Sequence, residues 1–161
     1  MHIVSKYPNG IFNWVDLSTT DMEGAKAFYS ALFGWETTDT LINADMGGIY
    51  TNFKLNGHNV AGGGQISPEM QAQGMPTFWG SYVKHDDADA IAERITAAGG
   101  TLMMPPMDVM EEGRMVMAVD PTGATFGVWQ PRNHIGAELV NIPNSLVWNE
   151  LATRDTAAAA A

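Results

Sequence analysis

Residues 12–35 read FNWVDLSTTDMEGAKAFYSALFGW, a strand pattern that runs directly into a helix pattern. Phe12 to Thr19 alternates with the period of two that a half-buried strand requires. Thr20-x-x-Glu23 then has the form of a capping box, and Met22, Ala25, Phe28, Leu32 and Phe33 recur at helical spacing. Gly34 is placed to end that helix as a C-cap. Beyond it, an extended segment near Trp35 to Thr40 precedes two strand-like runs, Ile49 to Leu55 and Val60 to Ile66. Asn56-Gly57 between them is a two-residue hairpin signal. The order is strand, helix, strand, strand, strand.

The same order returns after a Pro-containing connection at residues 67–76, which reads as a linker. Phe78 to His85 is strand-like, and Asp86 is placed to cap a helix with Ile91, Ile95 and Ala98 on its apolar face. Gly99-Gly100 stops it. Thr101 to Met104 forms the next strand, and Met115 to Val119 with Ala124 to Gln130 form a hairpin around Asp120-Pro121-Thr122-Gly123. Residues 11–131 thus read as one domain of two βαβββ modules, 11–66 and 77–131, followed by a linker at 132–144. A third start follows at 145–161. There SLVWNELATRD (Ser145 to Asp155) lies over IFNWVDLSTTD (Ile11 to Asp21) and pairs Trp148 with Trp14 and Glu150 with Asp16.

Composition narrows the partners. At 161 residues and 45% hydrophobic, the chain can bury one core. Its formal charge of −10 repels phosphate backbones and anionic lipid headgroups, which disfavours nucleic acid and membrane surfaces. There is no cysteine, so disulfides, thiol nucleophiles and thiolate metal sites are excluded and the cytosol is the expected compartment.

The Phe28-Tyr29 to Leu32-Phe33-Gly34-Trp35 helix end, Asp86-Asp87-Ala88-Asp89-Ala90, Gly99-Gly100 and Asp120-Pro121-Thr122-Gly123-Ala124 resemble the vicinal oxygen chelate superfamily. That group contains glyoxalase I, bleomycin-resistance proteins and extradiol dioxygenases. Asn13-Trp14-Val15-Asp16-Leu17, Trp148-Asn149-Glu150-Leu151 and His134-Ile135-Gly136 look most like its two-domain, glyoxalase-like members. The resemblance implies an α+β fold, with paired βαβββ modules forming a partly closed, curved mixed sheet around a cavity. Metal-dependent members carry a ligand early in the first strand of each module and another on the last strand. Trp14 and Gly80 hold the former positions here, and the Gly62-Gly63-Gly64 region and Gly127 the latter. Neither indole nor glycine offers a lone pair to a divalent metal, so no metal and no other cofactor is expected.

Alternation places Trp14 and Asp16 on one face, joined by Gly80 and Tyr82 in the second module and by Thr125, Gly127 and Trp129 on its last strand. This is the composition of a small-molecule pocket, in which the glycines leave volume for a ligand. The competing reading is that Trp14 and Trp129 plug the barrel. Asp16 is the ionisable group expected inside, either as a general acid or base or, in the structural reading, as an acceptor of hydrogen bonds or a partner of Arg114. Arg114 could instead contact an anionic ligand or stand solvated in its hairpin.

Three functions follow. The leading one is metal-independent binding of a small apolar or aromatic ligand by Trp14, Tyr82, Arg114, Thr125 and Trp129. The second is a glyoxalase-type lyase, hydroxylase or isomerase using Asp16. The third is a structural module with a filled cavity. Module pairing within a longer chain or in a homodimer is expected in each case.

Overall fold

The computed structural model describes residues 3–42 and 48–160. Its elements are β1 (Phe12–Thr19), α1 (Met22–Phe33), β2 (Glu36–Leu41), β3 (Ile49–Leu55), β4 (His58–Gln65), α2 (Pro68–Ala72), β5 (Phe78–Lys84), α3 (Ala88–Ala97), β6 (Thr101–Leu102), β7 (Met107–Val109), β8 (Gly113–Val119), β9 (Thr125–Pro131) and α4 (Thr156–Ala160). The architecture is α+β, and its two βαβββ modules share one plan. In the first, the strand order is β2-β3-β4-β1, antiparallel except where β1 lies parallel to β4. In the second, β5 lies parallel to β9, β9 pairs antiparallel with β8, and β6 and β7 both pair with β8. β7 is an addition that the sequence pattern does not announce.

By contacts, the described residues within Met1–Ser5, Trp14–Gly80 and Gly136–Val147 form one unit, and those within Lys6–Asn13, Ser81–Ile135 and Trp148–Ala161 a second. Phe53, Val60, Ala61, Met22 and Leu139 make the core of the first. Ala88, Ala92, Val116 and Val128 make that of the second, with Ile91 and Ile95 packed against them. Burying one such large side chain contributes about 1.5–3 kcal/mol.

The hairpin at Asn56-Gly57 forms as expected, with φ of 53° and 78°, the pair of positive angles that a two-residue type I′ turn demands. Both helix caps lie one residue later than the sequence pattern suggests. Asp21, not Thr20, accepts from the Gly24 backbone N–H at 2.8 Å, while Glu23 reaches forward to Lys26. A side chain at position 24 would overlap the Asp21 carboxylate, which explains a glycine inside the first turn. Likewise Asp87 caps α3 through the Ala90 N–H at 2.9 Å, because Asp86 is drawn to the buried ammonium of Lys84. Two segments read as linkers have structure. Residues 67–76 contain α2, capped by Ser67, and in 132–144 Ala137 and Leu139 are fully buried. Of the third start, Leu146 makes one isolated bridge to Val140 and no ladder follows. Ala161 lies outside the described residues.

Candidate functional site

Val15, Phe53 and Val60 face the core beneath α1. Their neighbours Trp14, Asp16 and Tyr50 therefore take the opposite face of the same strands. There the Trp14 indole N–H donates to the Tyr50 hydroxyl at 2.9 Å, and the Tyr50 O–H donates to Asp16 Oδ2 at 3.3 Å. Burial, and next to it the charge on Asp16, pushes the Tyr50 phenol well above its ordinary value of 10. Tyr50 thus stays protonated and is the donor of this pair.

The glycine run of β4 serves this arrangement. A Cβ on Gly62 would overlap the Tyr50 hydroxyl and lie 2.9 Å from the Trp14 ring. A Cβ on Gly63, on the other face, would lie 3.0 Å from Met22 Cε. The run makes room for the chain's own rings and helix. Gly80 stands beside Asp16, with its missing Cβ 3.1 Å from Oδ1.

In the second unit Tyr82 lies opposite Gly127 and its ring covers that glycine, while Trp129 covers Gly113 and donates to the His134 carbonyl at 2.7 Å. The expectation that Gly127 leaves volume for a ligand is therefore corrected: Tyr82 occupies that volume. Trp14 and Trp129 are 3% and 6% exposed, so both indoles are packed side chains. Thr125 is exposed at the start of its strand. Arg114 lies on the α3 face, where its guanidinium binds Asp89 at 2.8 Å and Asp108 at 3.2 Å. The structure thus joins Trp14 to Asp16, through Tyr50, and Tyr82 to Gly127, and it turns Arg114 away from the Trp129 face. Tyr50 is the residue that sequence reasoning missed. The available signal was the glycine run itself, since consecutive glycines in a strand mark a close approach by something large.

A groove of about 370 Å³ opens on the α1 side of the first unit, lined by Tyr29, Phe33, Trp35 and Trp79 among others. Its indole donors are already used, Trp79 on the Tyr29 hydroxyl at 3.0 Å and Trp35 on the Asn144 carbonyl at 2.8 Å. It has no charged lining residue.

Residues 11–128 match the family model described as the Glyoxalase/Bleomycin resistance protein/Dioxygenase superfamily. The chain belongs to that superfamily. A Mycobacterium tuberculosis relative, CFP32, named as a candidate glyoxylase, is 46% identical over 92% of this chain and 56% of its own length. The anthracycline biosynthesis protein DnrV of Streptomyces peucetius is 37% identical over 97% of this chain and 60% of its own. The chain therefore spans a little over half the length of these relatives. Among solved structures, methylmalonyl-CoA epimerase from Mycobacterium tuberculosis superposes with a TM-score of 0.57 at 16% identity, covering 80% of this chain and 92% of that one. That likeness supports the fold alone.

The superfamily's enzymes imply a divalent metal, and the donor set here does not fit one. The Trp14 indole has no lone pair to give and its N–H is spent on Tyr50, while Tyr50 and Tyr82 fill the spaces over Gly62 and Gly127. Among the described residues no three His, Asp or Glu side chains come together.

Proposed function

We propose that this glyoxalase-like protein binds a small apolar or aromatic ligand without a metal, at the strand face that carries Trp14 and Asp16. The observation that carries the reading is the Trp14–Tyr50–Asp16 chain of hydrogen bonds: a filled core has no need of a carboxylate oriented by a buried phenol. Aromatic contact supplies about 0.5–1.5 kcal/mol beyond burial, and the carboxylate supplies orientation.

The test is a titration of metal-stripped protein with naphthylmethanol, followed by tryptophan fluorescence. Saturable quenching is expected, weakened about tenfold or more by Trp14→Ala, which corresponds to about 1.4 kcal/mol. Elemental analysis after dialysis against chelator is expected to find no stoichiometric zinc, nickel, iron or manganese in a protein that still binds. Binding that disappears on chelation and returns with one metal per chain would defeat the metal-free reading.

The packing of the rings over Gly62, Gly113 and Gly127 favours a second reading, a structural module whose interior is filled by its own aromatics. The hydrogen bond from Tyr50 to Asp16 also orients the carboxyl group that a lyase, hydroxylase or isomerase would use as acid or base. A reaction of that kind requires the binding step proposed here.

A further inference from the structure

We infer that the groove beside α1 is a second ligand site, separate from the Trp14 and Asp16 face, and that its ligand is a small neutral aromatic ketone. Val15 and Val60 line the groove from the sheet, so it lies on the α1 side of strands whose other face carries Trp14 and Tyr50. Its volume of about 370 Å³ falls within the range of small-molecule sites, about 300–1,000 Å³.

The walls are rings fixed before any ligand arrives. Tyr29 and Trp35 stack with centroids 5.8 Å apart, and Trp79 stands nearly perpendicular to both, at 5.3 Å and 6.4 Å. The corner so formed offers a planar guest a ring face on one side and a ring edge on the other, the two arrangements that aromatic pairs prefer. The fully buried Phe53 backs Tyr29 and Trp35. Trp79 is held by the Tyr29 hydroxyl and Trp35 by the Asn144 carbonyl, so little rotamer freedom is left to lose on binding.

The polar groups decide the ligand class. Both indole N–H groups are spent, and the Ser145 hydroxyl is closed on the Ile142 backbone N–H and carbonyl. The Tyr29 hydroxyl differs: it accepts from Trp79, and its own proton has no acceptor among the described residues. A phenol donates as well as accepts, so this wall offers a ligand one donor. The matching group is a carbonyl oxygen, which only accepts and lies in the plane of an aromatic body that bears it. Asn144, whose carboxamide is also unbonded among the described residues, is exposed at the rim, where water reaches it. A charged head has no counter-charge here, because no lining residue is charged, and an ion taken from water without a partner is strongly disfavoured.

The experiment titrates the intact protein with acetonaphthone, ethylnaphthalene and naphthoate and follows the indole N–H resonances, with Trp35 and Trp79 assigned through Trp35→Phe and Trp79→Phe. The ketone is expected to move both resonances saturably, and naphthoate to bind at least about tenfold more weakly. Tyr29→Phe also frees the Trp79 N–H, so the donor is read by comparing Trp79→Phe with Trp79→Phe plus Tyr29→Phe. Losing the phenol is expected to weaken the ketone about threefold to tenfold and to change ethylnaphthalene by less than about twofold. The infrared carbonyl band of the ketone bound to wild type is expected at lower frequency than in the double variant. It is also expected below that of the ketone in hexane, a readout that holds even where the variants do not fold. Trp35 and Trp79 resonances that stay in place, equal losses of ketone and hydrocarbon, an unshifted carbonyl band, or naphthoate binding as tightly as the ketone each overturn the inference. So does movement of these resonances with protein concentration alone, which marks the groove as an interface between copies. The Trp14 resonance reports the other face separately, so the two sites stand or fall independently.

Discussion

At the scale of single residues, the glycines are the most sensitive markers of the account, because each is explained by a particular neighbour. A Cβ on Gly113 would press on the Trp129 ring and on the Gln130 backbone carbonyl, and backbone cannot swing aside. Gly113→Ala is expected to cost about 1–3 kcal/mol in urea unfolding, the usual range for overpacking. Gly64→Ala is the matched control: its nearest atom would be 4.0 Å away, and no change beyond about 0.5 kcal/mol is expected. A large loss at Gly64 with none at Gly113 would contradict the packing described. The shared face of Trp14 and Asp16 was legible because alternation along one strand assigns it without further knowledge. Tyr50 was not. Its place over Gly62 depends on the register of β3 against β4, which shifts at an irregularity between Phe53 and Lys54 that no local pattern reveals.

At the scale of elements, α1, β2 and β3 are fastened by one polar cluster. Lys26 of α1 binds Asp39 of β2 at 2.7 Å, and the buried Thr51 hydroxyl of β3 donates to the same carboxylate at 2.7 Å. The Lys26 ammonium, and after it Thr51, holds Asp39 below the usual carboxylate range. A carboxyl depressed in the folded state stabilises the fold above its unfolded pKa of about 3.9, and that contribution is lost as pH falls through the lower folded value. Asp39→Asn is therefore expected to be less stable than wild type near neutrality, with the two converging below about pH 4 in acid titrations followed by circular dichroism. A difference that grows toward acid would contradict the cluster's role. Helix and hairpin positions were legible because they follow from local periodicity and the Asn-Gly turn. The cap of α3 slipped by one residue because Asp86 turns to the ammonium of Lys84, whose burial no local pattern reveals, and leaves the helix N-terminus to Asp87.

At the scale of the whole molecule, the repeated modules were legible because each is a complete local pattern. Residues 132–144 looked like linker because they carry no periodicity, yet Ala137 and Leu139 are buried by contacts distant in sequence. The segment that repeats the first strand leaves Val147, Trp148 and Leu151 at 62%, 76% and 47% exposure. We expect Leu146 to Leu151 to pair with another module, in the same polypeptide or in a second copy, since an exposed apolar segment that repeats the sequence of a strand seeks a partner. Sedimentation showing a monomer, together with rapid amide exchange throughout 146–151, would count against it. The central claim remains that the Trp14 and Asp16 face binds a small molecule without metal. It is tested most directly by nuclear magnetic resonance of chelator-treated protein titrated with naphthylmethanol, with the Trp14 indole N–H resonance assigned through Trp14→Phe. The account predicts that this resonance moves saturably while that of the exposed Trp148 stays in place. An unmoved Trp14 resonance, or one that moves only after a divalent metal is restored, would contradict it.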